Sequence, residues 1–291
     1  MKKDSILVTG ASGFVGRHLV EALRERGEHV LTHTGQDGDL SQTELTASGV
    51  RHVYHLAAKT FVPDSWKDPR PFYSSNVLGA VGVLEYCRKN EASLTLLSSY
   101  VYGHPERLPI GEDHPLRPFN PYSHSKILAE QVARFYQSAF GVPVTIVRAF
   151  NLYGPGQPGH FLIPTLIGQA LLPEGDAVIV EDADPRRDYI YISDLIDLLR
   201  RLKDGCKSGV YNAGSGVSMS VYEIANLIIE LTGNRKRLLS RGIKRPDEVM
   251  DVVADISRAR EEFHWAPTVT LREGLRLTIE SVRQTAGGQA A

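Results

Sequence analysis

The chain of 291 residues is 42% hydrophobic and 23% charged, a globular composition that excludes a disordered or fibrous chain and leaves room for two lobes. Thirty-three Lys plus Arg against 34 Asp plus Glu give a net charge of −1, so no global field draws in nucleic acid or an anionic membrane, and an anion has to be caught locally. Cys87 and Cys206 stand far apart with no cysteine or histidine at metal-ligand spacing, which points to plain core thiols in a reducing, cytoplasmic setting and to no metal site.

The opening apolar run, Ile6 to Val8, is too short for a signal peptide, and nowhere do about 18 apolar residues run together. In chain order the pattern predicts a buried strand at Ser5 to Thr9, then an amphipathic helix carrying Val15, Leu19 and Leu23 and stopped by Gly27, then a strand at His29 to Thr32. Further strands are expected at His52 to Leu56, Leu94 to Ser98 and Val144 to Ala149, with helices at Pro71 to Lys89 and Ser123 to Phe140 between them. This alternation is that of an α/β chain with a Rossmann-type, doubly wound parallel sheet. After Asn151 glycine and proline punctuate the chain (Gly154, Pro155, Gly156, Pro158, Gly159, Pro164), so residues 1–150 are expected to form the dinucleotide-binding domain and 151–283 a smaller α/β substrate lobe. Helices are expected there at Ser193 to Asp204, Ser220 to Gly233, Ile256 to Glu262 and Leu271 to Arg283, with 284–291 a frayed tail.

Gly10, Gly13 and Gly16 lie in TGASGFVG, between the first strand and the first helix. A dinucleotide pyrophosphate needs a tight turn free of side chains, amides aimed at it, and the positive end of a helix beneath it, all of which glycines at this spacing provide. The second strand ends in Thr32, His33 and Thr34, where an acidic residue would normally hold the adenosine ribose. The absent carboxylate tilts the cofactor from NAD toward NADP, although no arginine follows in that loop and Asp37 is close enough to serve. Tyr122 and Lys126 stand four apart at the start of a predicted helix, on one face, and Ser98 ends the fourth strand at the sheet edge where such folds bind ligands. A nearby ammonium favours a tyrosine's phenolate, so serine, tyrosine and lysine together make a hydride-transfer site.

TGASGFVG, HLAA (55–58), Asn76, SSYVYG (98–103), PYSHSK (121–126), RAFNLYGPGQ (148–157), RRDYIYISDL (186–195) and RPDEVMDVVADISRAR (245–260) together resemble the extended short-chain dehydrogenases/reductases of the nucleotide-sugar epimerase and dehydratase type. The resemblance spans about residues 5–282 and implies that Ser98, Tyr122 and Lys126 are catalytic. It implies cofactor contacts from Gly10, Gly13, Phe14, Val15, Gly16, Thr34, Leu56, Ala57, Ala58, Asn76, Tyr122 and Lys126, with Asp39 and Leu40 beside the adenine. It places Ser99, Tyr100, Asn151, Arg187 and Arg245 on the substrate, the arginines gripping its diphosphate; without it they would read as solvated surface charges. His124 falls on the opposite helix face from Tyr122, and His104 and His160 in loops near the cleft are weaker candidates.

The 4,6-dehydratases of this family carry an acidic pair after the catalytic Ser or Thr, and GDP-fucose synthase a cysteine two residues beyond it; here Ser99 and Tyr100 occupy those places. Two reactions at sugar carbon 4 remain: reduction of a nucleotide-diphosphate 4-keto-6-deoxyhexose, or 4-epimerisation with tightly held NAD. GPGQ and RPDEV resemble the GDP-4-keto-6-deoxymannose reductase branch and the cofactor loop is not acidic, so reduction is the expectation, ahead of epimerisation and of a non-catalytic NAD(P)-binding sensor. Family members commonly pair two helices across a twofold axis, so a homodimer is expected through Val83, Leu84, Leu128, Val132, Phe135, Tyr136 and Phe140.

Overall fold

The computed structural model describes residues 4–205, 207–245 and 247–288. Strand β1 (Ser5–Thr9), buried along its whole length, leads through the glycine turn into α1 (Phe14–Glu25) and returns as β2 (His29–His33). Then come β3 (Val50–His55), the short helices α2 (Val62–Lys67) and α3 (Arg70–Tyr73), a π-helical stretch over Ser74–Leu78, α4 (Gly79–Asn90), β4 (Ser93–Ser99), α5 (Pro121–Phe140) and β5 (Val144–Ala149). The second half holds β6 (Asn151–Tyr153), α6 (Leu162–Leu171), β7 (Ala177–Val180), β8 (Arg186–Tyr191), α7 (Ile192–Gly205), β9 (Gly209–Ala213), β10 (Ser218–Ser220), α8 (Val221–Thr232), β11 (Arg237–Ser240), α9 (Ser257–Phe263) and α10 (Leu271–Gly288).

Six parallel strands form the central sheet in the order β2-β1-β3-β4-β5-β9. Successive side chains of a strand point to opposite faces, so Ile6 and Val8 pack with Leu19 and Leu23 of α1 and with Leu195, Leu198 and Leu202 of α7. On the other face Leu7, Val53, Leu94, Leu96 and Ile146 pack with Val83 and Leu84 of α4 and with Ala129 and Ala133 of α5. The chain is thus the doubly wound α/β layer structure that the alternating pattern implies.

Four expectations need correction. The break at residue 151 does not separate two sheets: β9 pairs with β5, so residues 192–213 return to the first lobe while β10-β8-β6 and β11-β7 form the small sheets of the second. Glycine and proline runs mark turns, whereas sheet membership is decided by long-range burial, here of the apolar face of α7. The helix expected over Pro71 to Lys89 runs unbroken over 70–90 but widens to a π-helical pattern at Ser74–Leu78, the stretch that carries the buried Asn76. Val83 and Leu84 are buried against the sheet, leaving Leu78, Phe135 and Phe140 as the exposed apolar residues of the α4–α5 face. Finally, α10 continues to Gly288, so 284–288 are helical rather than frayed; Thr285 Oγ1 donates to the Ser281 carbonyl at 3.0 Å. Residues 289–291 and Cys206 lie outside the described residues, and Cys87 is buried in the α4 core. No helix among the described residues is long and apolar enough to cross a membrane.

Candidate active site

The glycine turn shows why side chains are excluded from it. Gly10 has φ 68° and a Cβ there would stand 2.6 Å from the Ala57 amide nitrogen, while one on Gly16 would strike the Gly10 carbonyl. Helix α1 is capped by Gly13 with no side-chain bond and has no acid in its first turn, so its free amides and the positive end of its dipole face the cleft. The segment after β3 is fixed against this turn, with Thr9 Oγ1 bonded to His55 Nδ1 at 2.8 Å and accepting from the Ala57 amide at 3.4 Å. Burial holds His55 neutral, its pKa pushed down to about 3. This cradle fits a dinucleotide pyrophosphate.

At the end of β2, Asp37 is folded back: its Oδ2 accepts from the Thr34 amide at 2.7 Å and from Thr34 Oγ1 at 2.8 Å, bonds that lower its pKa. Beside Thr32 and Thr34 a groove of about 660 Å³ is lined by Ser12, Arg17 and Arg24, with Glu21 and Glu25. Arginines therefore reach this corner from α1, a helix rather than the loop following β2, and acids of the same helix balance them. Asp39 accepts from the Ser41 amide at 2.9 Å, and Leu40 is buried against α4.

Helix α5 begins one residue before Tyr122 because Asn120 caps it: Asn120 Oδ1 accepts from the Ser123 amide at 2.7 Å, Ser123 Oγ returns to the Asn120 carbonyl at 2.9 Å, and Pro121 takes the first position. Lys126 is buried and its Nζ donates to the carbonyl of Leu97 at 2.6 Å, the residue before Ser98. Burial pushes the Lys126 pKa down to about 8, with Glu130 opposing. Burial also raises the pKa of Tyr122, and the neighbouring Ser99 hydroxyl opposes the rise. The buried hydroxyl oxygen of Ser98 has no hydrogen-bond partner among the described residues, an unmet demand at the edge where a sugar oxygen would sit. Asn76 ties the cofactor wall to this helix: its Oδ1 accepts from the Lys59 amide at 2.8 Å, and its Nδ2 donates to the Lys59 carbonyl at 3.1 Å and to Ser125 Oγ at 2.9 Å. His124 faces away, bonded to Tyr73 Oη at 2.9 Å.

On the substrate side Arg187 and Arg245 meet at one carboxylate that the sequence reading passed over. Arg187 donates to Glu248 and, at 2.5 Å, to the Val249 carbonyl; Arg245 Nη1 lies 3.9 Å from Glu248 Oε2. The signal for Glu248 was its place three residues after Arg245. Asn151 is half-buried and donates to the Asp188 carbonyl at 3.1 Å. Tyr100 donates its hydroxyl to the Gly103 carbonyl, and burial raises its pKa with Arg187 opposing. His104 lines a separate hollow with Glu248 and Met250, and His160 packs on Phe61 and Phe161.

A parallel sheet with a glycine turn at its first crossover and Ser, Tyr and Lys at its carboxyl edge defines a dinucleotide-dependent oxidoreductase of the short-chain type. The chain belongs to the NAD dependent epimerase/dehydratase family, which it matches over residues 6–214. It is 31% identical over 305 aligned residues to the UDP-glucose 4-epimerase of Lactobacillus helveticus, covering 90% of this chain and 92% of that one. Among solved structures it is similar to TunA, described as an NAD-dependent NDP-hexosamine 5,6-dehydratase, at 32% identity and a TM-score of 0.89 over 97% of this chain and 98% of that one. It is similar to MoeE5 in complex with UDP-glucuronic acid and NAD, at 31% identity and a TM-score of 0.88 over 97% of this chain and 99% of that one.

Two outcomes follow from this geometry. In the cofactor-free protein, Lys126→Met removes a buried ammonium and should stabilise the fold at neutral pH by about 1–3 kcal/mol while abolishing turnover. The sign is set by the depressed pKa: below about 8 the native state carries a buried charge, and as pH rises from there the unfolded chain retains the proton that the native state has lost, so wild type gains stability. The advantage of Met should therefore shrink with pH and vanish above about 10.4, as urea titrations of both proteins across that range would show. On the substrate side, Arg187→Ala should weaken nucleoside-diphosphate binding by about 1.5–3 kcal/mol and leave NAD(P) affinity unchanged; calorimetric titration of the two ligands separately would show equal losses if the residue only supports the fold.

Proposed function

We propose that the protein is a nucleotide-diphosphate-hexose 4-epimerase that takes UDP-hexoses. One observation carries this reading. The carboxyl edge of β4 presents one proton-transfer group, Tyr122 supported by Lys126 and Ser98, and at 99 and 100 there is neither carboxyl nor thiol but a serine and a tyrosine already bonded to Gly103. Such a site moves one proton at one sugar oxygen, which suffices for oxidation and reduction at carbon 4 and not for elimination. Ser98 holds the carbon-4 oxygen, Tyr122 takes its proton and later returns it, and Lys126 favours the phenolate between the two steps. A nicotinamide dinucleotide held along Gly10, Gly13 and Gly16 would supply reversible hydride acceptance at carbon 4. Arg187 and Arg245 hold the diphosphate and leave the hexose free to present its other face. The relatives and solved structures named for UDP-sugars support the choice of base and of epimerisation.

A second reading, reduction of a nucleotide-diphosphate 4-keto-6-deoxyhexose by NADPH, is favoured by the non-acidic end of β2, where Asp37 is occupied by Thr34. A panel of UDP-, GDP-, dTDP- and CDP-hexoses and their 4-keto forms separates the two. The epimerase converts UDP-glucose, UDP-galactose or their uronic acids with no net change in nicotinamide absorbance, whereas the reductase consumes one NADPH per ketone. We propose further that two copies pair through the outer face of α5, of α4 and of the π-helical stretch before it, where Leu78, Phe135 and Phe140 are 54%, 59% and 51% exposed.

Tyr122→Phe should keep cofactor binding and lower turnover by roughly 10²- to 10⁴-fold, and near-normal turnover would remove the phenol from the mechanism. Light scattering at micromolar concentration should report a dimer that Phe135→Glu converts to monomer; a wild-type monomer would rule the pairing out.

A further inference from the structure

One loop of the second half, residues 154–161, touches both walls of the dinucleotide cleft. On the first wall Arg17 reaches outward from α1: its Nη1 donates to the Ser12 carbonyl inside the glycine turn at 3.1 Å, and its Nη2 to the Gly156 carbonyl at 3.0 Å. The next residue, His18, donates from Nε2 to the Pro155 carbonyl at 2.9 Å, its ring set edge-on to Phe14 at 5.6 Å. Gly156 has φ 77°, and a Cβ there would stand 3.2 Å from Arg17 Nη2, so the close approach relies on glycine. On the second wall Phe61, just beyond the HLAA segment, packs edge-on against His160 at 4.5 Å and against Phe161 at 6.3 Å. The loop is thereby anchored at both ends, to the turn that faces the pyrophosphate and to the chain that follows β3.

We propose that Arg17 is a positioning residue which, with the Phe61–His160 contact, clasps this loop over the bound dinucleotide and keeps the cofactor in place through successive turnovers. The inference rests on the cleft taking a dinucleotide and goes beyond the carbon-4 chemistry. A ligand lying along the carboxyl edge from the glycine turn toward Ser98 passes between the two anchored walls, so its exit requires Arg17 to release Gly156 or Phe61 to release His160. Retention suits a redox-neutral reaction, because the cofactor that is reduced in the first half of the cycle is the one oxidised in the second. An enzyme spending NADPH at each turnover would have to open the same clasp every time.

The test is the rate at which pre-loaded NADH leaves wild type, Arg17→Ala and His160→Ala, followed by its fluorescence during a chase with excess NAD. Both variants should release the cofactor about tenfold faster than wild type, with association rate and melting temperature nearly unchanged, and Arg17→Lys should recover part of the retention because one carbonyl can still be reached. Faster release in Arg17→Ala alone would mean a direct contact with the cofactor and would overturn the clasp, since His160 lies on the loop and not on the glycine turn. Unchanged release in both variants, or wild-type release faster than turnover, would overturn it as well. A wild-type protein that binds no dinucleotide would remove the cofactor reading itself, a result visible before any variant is made.

Discussion

The ion pair between Arg148 on β5 and Glu130 on α5 is the interaction on which the site's geometry depends. Both side chains are 1% exposed and meet at 2.6 Å, with further bonds at 3.1 and 3.2 Å. Arg148 stands in register with Ser98 across β4 and β5, and Glu130 lies one helical turn beyond Lys126 and two beyond Tyr122. One contact therefore sets the height of the catalytic helix over the strand end that carries the serine. Arg148 also donates to Tyr102 Oη and to the Glu112 carbonyl, both at 3.1 Å; Tyr102 donates to Asn212 at 2.5 Å, and Asn212 reaches the Ile110 and Asp255 carbonyls. Losing one partner of such a buried pair costs about 3–5 kcal/mol, a large share of the 5–15 kcal/mol by which domains are stable, so this register is strongly enforced.

The second half is organised by a different buried acid. Asp188, fully buried on β8, accepts from the Ser215 amide and hydroxyl at 2.6 and 2.7 Å, from the Gly216 amide at 2.9 Å and from the Ala254 amide at 3.0 Å. Burial raises its pKa while these bonds oppose the rise. Because neighbours on a strand point to opposite sides, an inward Asp188 obliges Arg187 to turn toward the cleft. There Arg187 is held by Glu248, whose second charged neighbour is Arg245.

The local features of the sequence carried most of the fold and the candidate site. The glycine turn, the Tyr122–Lys126 spacing and the strand ending at Ser98 are each written in consecutive residues, and the apolar periodicities that place them need no knowledge of distant partners. The return of β9 to the central sheet was not legible, because Gly209–Ala213 reads the same whichever sheet it joins. Nor were the pairs Arg148–Glu130 and Arg187–Glu248, separated by 18 and 61 residues, since a charged residue looks solvated until its partner is known. The π-helical widening around Asn76 escaped for a related reason: it changes no hydrophobic period and shows only in what the asparagine touches.

The two kinds of charge in the cleft follow from what each must do. Lys126 and Glu130 are buried and each held by a 2.6 Å bond, Lys126 to the Leu97 carbonyl and Glu130 to Arg148, which fixes the ammonium beside the strand end that carries Ser98. Arg245 is 75% exposed and only loosely paired, and Arg187, 19% exposed, is tied to Glu248. A group that binds the diphosphate has to exchange one anion for another at little cost, and a partly solvated guanidinium does so where a buried one would not. For the proposed reaction at carbon 4, rigid proton transfer next to exchangeable anchoring is the combination required: carbon 4 would be held within hydrogen-bond tolerance at Tyr122 and Ser98, and the diphosphate would be gripped through bonds that turn with it.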